Sequence, residues 1–310
     1  MKKILSLICA ILFTNSLVLA YQEIHLNGFQ YIIIDNGSVA VWNYYNNQDT
    51  VIIPDVVMYN GEKYTVVAIE SGAFWGKDYI VSVIIPNTVT SIGQSAFQEC
   101  ENLSSVVMPN SITNIGNWAF TYCPNLTSFT IPDSVKHIGA AIFGGCTNLT
   151  TLDYNAKNCN GFSAGTYHPF SYSSISTINI GDDVEKIPEN FLYDMDNITT
   201  INFSNNITHI GKKAFAYYDG FTTLNLPDSI THIGEEAFLE CDNLSSITLT
   251  NNLTYIGIGA FKGCGSLNSI TIPNNVTRID DEAFEDCINL NSVDFLTNNL
   301  TYIGDGAFKN

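Results

Sequence analysis

The chain has few basic residues. Among its 310 residues are 12 lysines and arginines against 30 aspartates and glutamates, which gives a formal net charge of −18. An acidic surface of this kind repels the phosphates of nucleic acids and of anionic lipids. We therefore expect no nucleic-acid partner. The acids most simply form a charged rim that keeps the protein soluble, and a docking surface for a basic partner is the alternative.

Long apolar runs are absent beyond the amino terminus. After residue 20 no stretch offers eighteen uninterrupted apolar residues, so we expect no transmembrane segment. Residues 1–20 have a basic start at Lys2 and Lys3, an apolar stretch from Ile4 to Phe13, and Ala20 before a polar segment. This pattern predicts a signal peptide with cleavage after Ala20. The protein is expected to be secreted or held at the cell surface, exported through the general secretory route.

The residue patterns of common enzyme sites are also missing. The sequence has no His-Glu-x-x-His motif, no nucleophile elbow and no phosphate-binding loop. Its five histidines do not converge with carboxylates or thiols into a metal-ligand set, and its acidic pairs lack the calcium-loop signature. We expect a non-enzymatic protein with no cofactor and no metal.

A repeat is what the sequence does contain. Phenylalanines recur mostly every 23 residues, at Phe74, Phe97, Phe120, Phe143, Phe170, Phe191, Phe215, Phe238, Phe261, Phe284 and Phe308. The full unit reads I-P-x-x-V-T-x-I-G-x-x-A-F-x-x-C-x-N-L from Ile85 to Leu103. Since 23 residues are too few for a core, successive coils must stack and bury their apolar positions together.

Each unit predicts two short strands and a turn. In the coil from Leu126, alternating apolar and polar residues lead to Pro132, which has no amide hydrogen and ends the strand. A second extended piece runs from Val135 to Ile138, and glycine then turns the chain. We expect the Ala-Phe pair to begin a single helical turn that points the phenylalanine inward.

Two further columns follow from the period. Six cysteines lie three residues after an anchor phenylalanine, at Cys100, Cys123, Cys146, Cys241, Cys264 and Cys287. Coils about 4.8 Å apart hold equivalent β-carbons too far apart for disulfides, which need about 3.8 Å, so we expect buried free thiols. Asparagines two residues later, such as Asn102 and Asn125, are expected to point inward and bond to the neighbouring coil.

These motifs resemble the leucine-rich repeats of the BspA-like bacterial surface proteins, also called the Treponema-type class. The resemblance covers about Ala68 to Phe308. It implies an α/β, strand-rich leucine-rich-repeat solenoid with a parallel sheet and short helical turns outside. It also implies a surface adhesin that binds host matrix proteins or other cells.

The sequence pattern predicts that the chain has three parts. Residues 1–20 are the signal peptide, residues 21–67 do not repeat and contain strand patterns that predict an amino-terminal β cap, and residues 68–310 form the solenoid. Between residues 153 and 174 the frame stretches to 27 residues and loses its Ile-Pro and Ile-Gly pairs. We expect an irregular, protruding loop there, either a recognition element or a tolerated insertion.

Two outward columns are candidate contact residues. One combines residue types enriched at interface anchors and, after Lys186, consists of His209, His232, Tyr255, Arg278 and Tyr302. The other carries small polar groups on the first strand and consists of Asn179, Asn202, Asn225, Thr248 and Thr271. Either column could instead be an ordinary solvent-exposed slot.

The function predicted from these features is non-catalytic binding. We expect an adhesin-type solenoid that contacts host matrix proteins, glycans or other cells, with protein or glycan partners on host or microbial surfaces. The alternative is a structural envelope module without a dedicated ligand, which associates with copies of itself.

Overall fold

A computed structural model describes residues 22–164, 167–296 and 298–310. The predicted signal peptide, residues 1–20, lies outside the described residues. Six strands precede the regular repeats: β1 (Glu23–Leu26), β2 (Phe29–Asp35), β3 (Ser38–Tyr44), β4 (Thr50–Ile52), β5 (Val56–Tyr59) and β6 (Glu62–Ile69).

The first of the two strands in each later coil carries the alternating apolar and polar residues. These strands are β7 (Ser82–Ile84), β9 (Ser105–Val107), β11 (Ser128–Ile131), β13 (Thr151–Tyr154), β14 (Thr177–Ile180), β16 (Thr200–Asn202), β18 (Thr223–Asn225), β20 (Ser246–Thr248), β22 (Ser269–Ile272) and β24 (Ser292–Phe295). They pair in parallel and in register within four separate sheets, ordered β4-β7-β9, β11-β13-β14-β16, β18-β20 and β22-β24.

The second strand of each coil is only two residues long and ends on an isoleucine. These strands are β8 (Ser91–Ile92), β10 (Asn114–Ile115), β12 (His137–Ile138), β15 (Lys186–Ile187), β17 (His209–Ile210), β19 (His232–Ile233), β21 (Tyr255–Ile256), β23 (Arg278–Ile279) and β25 (Tyr302–Ile303). They pair in parallel with one another within two sheets, of which the second is ordered β15-β17-β19-β21-β23-β25. The structure is thus a β-solenoid of about eleven coils.

The first sheet of short strands continues into the amino-terminal segment. Its order is β1-β2-β3-β6-β8-β10-β12, with β1, β2 and β3 antiparallel and β3 parallel to β6. Strand β4 already pairs in parallel with β7 of the regular repeats. Parallel pairing therefore already occurs in the segment before residue 68, at β3 and β4.

The anchor phenylalanines form a buried column. All of them except Phe308 have no exposed surface. The rings of Phe74 and Phe97 lie 4.8 Å apart between centroids, and those of Phe238 and Phe261 lie 5.1 Å apart within 1° of parallel. Side chains from equivalent positions therefore stack on one another along the axis.

The predicted helical turn at the Ala-Phe pair is wrong, since the described part of the chain contains no α-helix. Ser95 and Glu99, two residues before and after Phe97, have φ of 54° and 59°, which a right-handed helix cannot include. The amides of Phe97 and Glu99 donate instead to the carbonyls of Ala119 and Thr121 in the next coil. Hydrogen bonds between coils thus replace those within a helix.

The anchor position in one coil was assigned to the wrong residue. Leu192, not Phe191, donates its amide to Ala214, as Phe97 donates to Ala119. Phe191 therefore takes the position that alanine has in other coils, and its ring meets Phe215 at 86°, edge to face. The column of stacked rings is interrupted here.

The six ladder cysteines are buried and free, as predicted. Each thiol donates to the carbonyl of the phenylalanine 26 residues earlier, for example Cys100 to Phe74 at 3.1 Å and Cys264 to Phe238 at 3.1 Å. Burial raises the pKa of the Cys100 thiol to about 12, so this cysteine stays protonated. The ladder therefore serves packing and backbone hydrogen bonding.

The asparagine column bonds to its neighbours but is not buried. Asn102 donates its amide to the carbonyl of Asp78 at 2.7 Å, and Asn125 donates to Glu101 at 3.0 Å. Both side chains nevertheless lie in exposed positions, so the predicted inward orientation is wrong. The amides join the turns of successive coils from outside the core.

The segment at 153–174 contains a part that packs against the core. No strand lies between β13 and β14 among the residues described. Phe162 is 5% exposed and packs edge to face against Tyr154 and Phe170. The larger aromatic side chains fill the space that the regular coil would occupy, which holds the longer segment against the core.

His168 is fully buried in this segment. Its Nε2 donates to the carbonyl of Phe191 at 2.9 Å, and its Nδ1 accepts the amide of Phe170 at 3.2 Å. The neutral imidazole therefore forms hydrogen bonds with both ring nitrogens, one as donor and the other as acceptor. Burial lowers the pKa of His168 to about 4.

We expect His168 to make stability depend on pH. Between its ordinary pKa of about 6.5 and the folded value of about 4, the unfolded chain binds a proton that the folded chain does not. Stability should therefore fall as pH falls, by about 2 kcal/mol from pH 7 to pH 5 through this group alone. Urea unfolding at both pH values should show this difference. His168→Gln keeps a hydrogen-bond donor and an acceptor but cannot titrate, so this variant should lose the difference in stability between the two pH values. An unchanged pH dependence in the variant would contradict the assignment.

Candidate functional site

The first predicted column forms one continuous line of side chains. Strands β15, β17, β19, β21, β23 and β25 pair in register, so that their first residues are direct neighbours. We call this line the contact strip, and it consists of Lys186, His209, His232, Tyr255, Arg278 and Tyr302. The isoleucine that follows each of these residues is buried in every strand except β25. Except in β25, the isoleucine thus anchors the second strand in the core, and in every strand the residue before it carries the outward side chain of the contact strip.

Two histidines stack at one end of the contact strip. The rings of His209 and His232 lie 4.5 Å apart between centroids and within 8° of parallel. A hydroxyl–imidazole hydrogen bond of 2.8 Å fixes each ring, between Thr208 and His209 and between Thr231 and His232. Burial, His232 and Lys186 lower the pKa of His209, so its imidazole is neutral at pH 7. The two stacked imidazole rings form a flat surface whose polar atoms are the ring nitrogens.

The other end of the contact strip is organised by Asp280. This carboxylate is 5% exposed by residue, accepts the hydroxyl of Tyr255 at 2.5 Å and accepts Nε of Arg278. The guanidinium of Arg278 lies 4.2 Å from the ring centroid of Tyr302, a cation–π contact. The hydroxyl of Tyr302 in turn donates to Asp281 at 3.1 Å. Three of the predicted contact residues are therefore held by hydrogen bonds to buried or partly buried acids.

Burial and the hydrogen bond to Asp280 raise the pKa of Tyr255 to about 12. Asp280 was missed by sequence reasoning, although the signal was present. It occupies the position that is glycine in most coils, such as Gly234 and Gly257, after the isoleucine of the second strand. The carboxylate at this position is the departure from the repeat that the sequence shows beside the outward column.

The second predicted column lies on other sheets. Asn179 pairs with Asn202 in one sheet, Asn225 with Thr248 in another, and Thr271 lies in a third. The amide of Asn202 donates to Asn179 at 2.7 Å, and that of Asn179 donates to Asp153 at 2.8 Å. Asn179 and Asn202 thus form hydrogen bonds within their own sheet. The structure does not bring the second column together with the contact strip.

The geometry offers no arrangement of metal ligands. Residues 22–164, 167–296 and 298–310 contain no group of three histidine, cysteine or acidic side chains that could hold an ion. The stacked pair His209 and His232 thus has no third ligand among them. Across the same residues no helix is both long and apolar enough to cross a bilayer.

The sequence matches the BspA type leucine-rich repeat region in six copies, over residues 67–191, 157–235 and 208–310. The chain belongs to this family. Among curated proteins, none matches the sequence. Leucine-rich repeat proteins are typically non-catalytic scaffolds that bind other proteins.

Similar folds occur in solved bacterial structures. A leucine-rich repeat protein from Bacteroides ovatus is 23% identical, with 92% of this chain and 91% of that chain covered and a TM-score of 0.43. A leucine-rich cell surface protein from Faecalibacterium prausnitzii is 21% identical, with 89% and 95% covered and a TM-score of 0.40. The leucine-rich repeat protein of T. pallidum is 22% identical, with 79% and 91% covered and a TM-score of 0.39.

Proposed function

We propose that the protein is an exported, adhesin-type binding protein that contacts proteins or glycans of host or microbial surfaces through the contact strip. The observation that carries this proposal is the fixed arrangement around Asp280, where Tyr255 and Arg278 share one buried carboxylate and Arg278 covers Tyr302. Side chains that are ordered before binding lose less conformational entropy when a partner docks. Tyrosine and arginine are also the types that dominate interface energetics.

Export is part of the same proposal and is supported by the sequence of residues 1–20. We also propose that strands β1 to β3 cap the first coil. Phe29 and Tyr44 are almost fully buried, and the ring of Tyr44 lies 5.7 Å from that of Phe74. An array of this kind needs its terminal apolar face covered, and this contact supports that role.

Removing Arg278 and Tyr302 together should weaken binding. The test measures binding of the mature protein to immobilised matrix proteins, mucin and cell-surface extracts by surface plasmon resonance. We expect Arg278→Ala with Tyr302→Ala to lower affinity about tenfold or more, because both are interface-type anchors. Lys136→Ala, which removes an exposed cation directly before strand β12 and away from the contact strip, is the matched control and should bind normally.

Equal binding by the double variant and the control would contradict the role of the contact strip. Binding to none of these surfaces would contradict the adhesin function itself. Sedimentation velocity on the same samples tests the structural alternative, since self-association that disappears in the double variant would assign the strip to contacts between copies.

A further inference from the structure

An uncharged, aromatic surface lies on the turns of the first coils. It surrounds a depression of about 480 Å³. The aromatic side chains that line it are solvent-exposed: Trp75 by 54%, Trp118 by 38%, Tyr122 by 57% and Tyr172 by 72%. The amide side chains of Gln94 and Gln98 are also part of the lining, which includes no charged residue. We call this surface the aromatic turn face.

Three of these aromatic residues adopt a backbone conformation that bulky residues rarely take. Trp118, Tyr122 and Tyr172 have φ of 55°, 58° and 62°. The same turn positions have positive φ in other coils too, for example at Glu99, Lys213 and Glu240. The fold sets this conformation, and what distinguishes the first coils is the large aromatic side chain that they place there.

In later coils the turn positions equivalent to Trp75 and Trp118 carry charged residues. There Lys213 pairs with Glu236 at 2.8 Å, and Lys262 pairs with Glu282 and Glu285. Lys213 occupies the same position in its coil as Trp118, and Lys262 the same position as Trp75. Charged pairs thus satisfy the turn geometry at the positions of Trp75 and Trp118, although Tyr217 takes the position of Tyr122 in a later coil and packs against Tyr193. Only the first coils place two tryptophans around one uncharged depression.

The aromatic turn face is also shaped by its glycines. The ring of Tyr122 lies over Gly145, where an added β-carbon would be 2.5 Å from Cδ1 of that ring. Gly144 lines the same depression. Nearby, Nε2 of Gln98 donates to the carboxylate of Glu99 at 3.2 Å. The result is a shallow aromatic floor with amide and carboxylate groups at its edge.

This chemistry fits a neutral sugar chain better than other ligands. A pyranose ring has an apolar C–H face that can cover an aromatic ring, while its hydroxyls accept and donate to side-chain amides at the edge. The lining has no cation for an anionic ligand, and Glu99 together with the net charge of −18 repels one. The aromatic side chains come from alternate coils, those of Phe74, Phe120 and Phe170, so the face extends along the axis over several coils.

We propose that the aromatic turn face binds neutral oligosaccharides by stacking on Trp75 and Trp118. This inference deepens the proposed surface-binding function by naming a second site, distinct from the contact strip, and one ligand class for it. It commits to a glycan rather than to a protein partner or a second copy of the chain.

Intrinsic fluorescence provides a direct test, since the chain has three tryptophans and two of them line the site. The mature protein is titrated with neutral hexasaccharides of glucose, galactose and mannose in different linkages, and with an oligogalacturonate as the anionic comparison. We expect at least one neutral hexasaccharide to change the emission saturably, and the oligogalacturonate to give no change.

Matched variants locate the binding. Trp75→Ala and Trp118→Ala, followed by isothermal calorimetry, should each weaken it about tenfold or more. Trp42→Phe, which changes the third tryptophan outside the site, should bind normally. Circular dichroism and the melting temperature identify any variant that fails to fold, and Trp75→Phe, which keeps an aromatic ring, should retain most of the affinity.

Three results would overturn the proposal. One is the absence of saturable binding by every neutral hexasaccharide at millimolar concentration. Another is binding by the Trp75→Ala and Trp118→Ala variants as tight as that of the unmodified protein. Concentration-dependent dimerisation that Trp118→Ala abolishes would also overturn it, by assigning the face to a second copy. Arg278→Ala with Tyr302→Ala should leave sugar binding intact, so failure here and failure of the contact strip are separate outcomes.

Discussion

Phe120→Ala is expected to lower the free energy of unfolding by about 3 to 5 kcal/mol. The ring is fully buried, 5.3 Å from that of Phe97 and 4.9 Å from that of Phe129. Its removal leaves a cavity between rigid coils that cannot collapse without breaking the hydrogen bonds between them. Urea unfolding followed by circular dichroism measures the change, and Phe261→Ala, in an equally regular coil, should lose a similar amount.

Trp75→Ala is the control for this experiment, since its side chain is more than half exposed. We expect a change within about 0.5 kcal/mol for it. Because each coil is stabilised by its neighbours, loss of Phe120 should also broaden the transition as the coils on either side become less strongly coupled. An unchanged midpoint for both Phe120→Ala and Phe261→Ala would contradict the buried column.

Gly116→Ala is expected to cost about 2 to 3 kcal/mol by steric overlap between coils. An added β-carbon would lie 2.5 Å from the amide nitrogen of Gln94 and 2.6 Å from the carbonyl carbon of Gly93. Backbone atoms cannot move aside as a flexible side chain can, so the two coils must separate. Asp280 fills the same position in a later coil, where its carboxylate gains hydrogen bonds that an alanine methyl cannot make.

Gly37→Ala is the matched control, because nothing lies within 4 Å of its added β-carbon and its φ is not positive. It should leave stability unchanged or raise it slightly by restricting the unfolded chain. Equal midpoints for Gly116→Ala and Gly37→Ala in urea would contradict the close approach of the coils.

The repeat itself was predictable because each position meets its own equivalent in the next coil. The period alone therefore indicated the phenylalanine column and the free thiols at Cys100 and its equivalents. It could not indicate the form of the Ala-Phe turn. Positive φ at Ser95 and Glu99 results from hydrogen bonding between coils, and neither residue type signals it.

Departures from the repeat were harder to interpret. Leu192 carries the anchor position because the neighbouring coil fixes the register, whereas the sequence offered Phe191 as the more obvious choice. Phe162 is buried because an irregular segment still has to cover the core beneath it.

The candidate site was predictable in part. The repeat motif placed His209 beside His232 and Arg278 beside Tyr302, since each of these residues directly precedes the isoleucine of its coil. The role of Asp280 depends on which way a single side chain turns, which a repeat pattern does not specify. The aromatic turn face was missed for a similar reason, because Trp75 and Trp118 occupy different positions of the unit and meet only across coils.

Thiol labelling tests the stacked solenoid most directly. In the folded protein, without reductant, an alkylating reagent should leave the six ladder cysteines unmodified, since they are buried and donate to backbone carbonyls. In denaturant, still without reductant, mass spectrometry should show all seven cysteines after residue 20 alkylated. Rapid labelling of Cys123 or Cys264 in the folded protein, or a disulfide between any two ladder cysteines, would contradict the account.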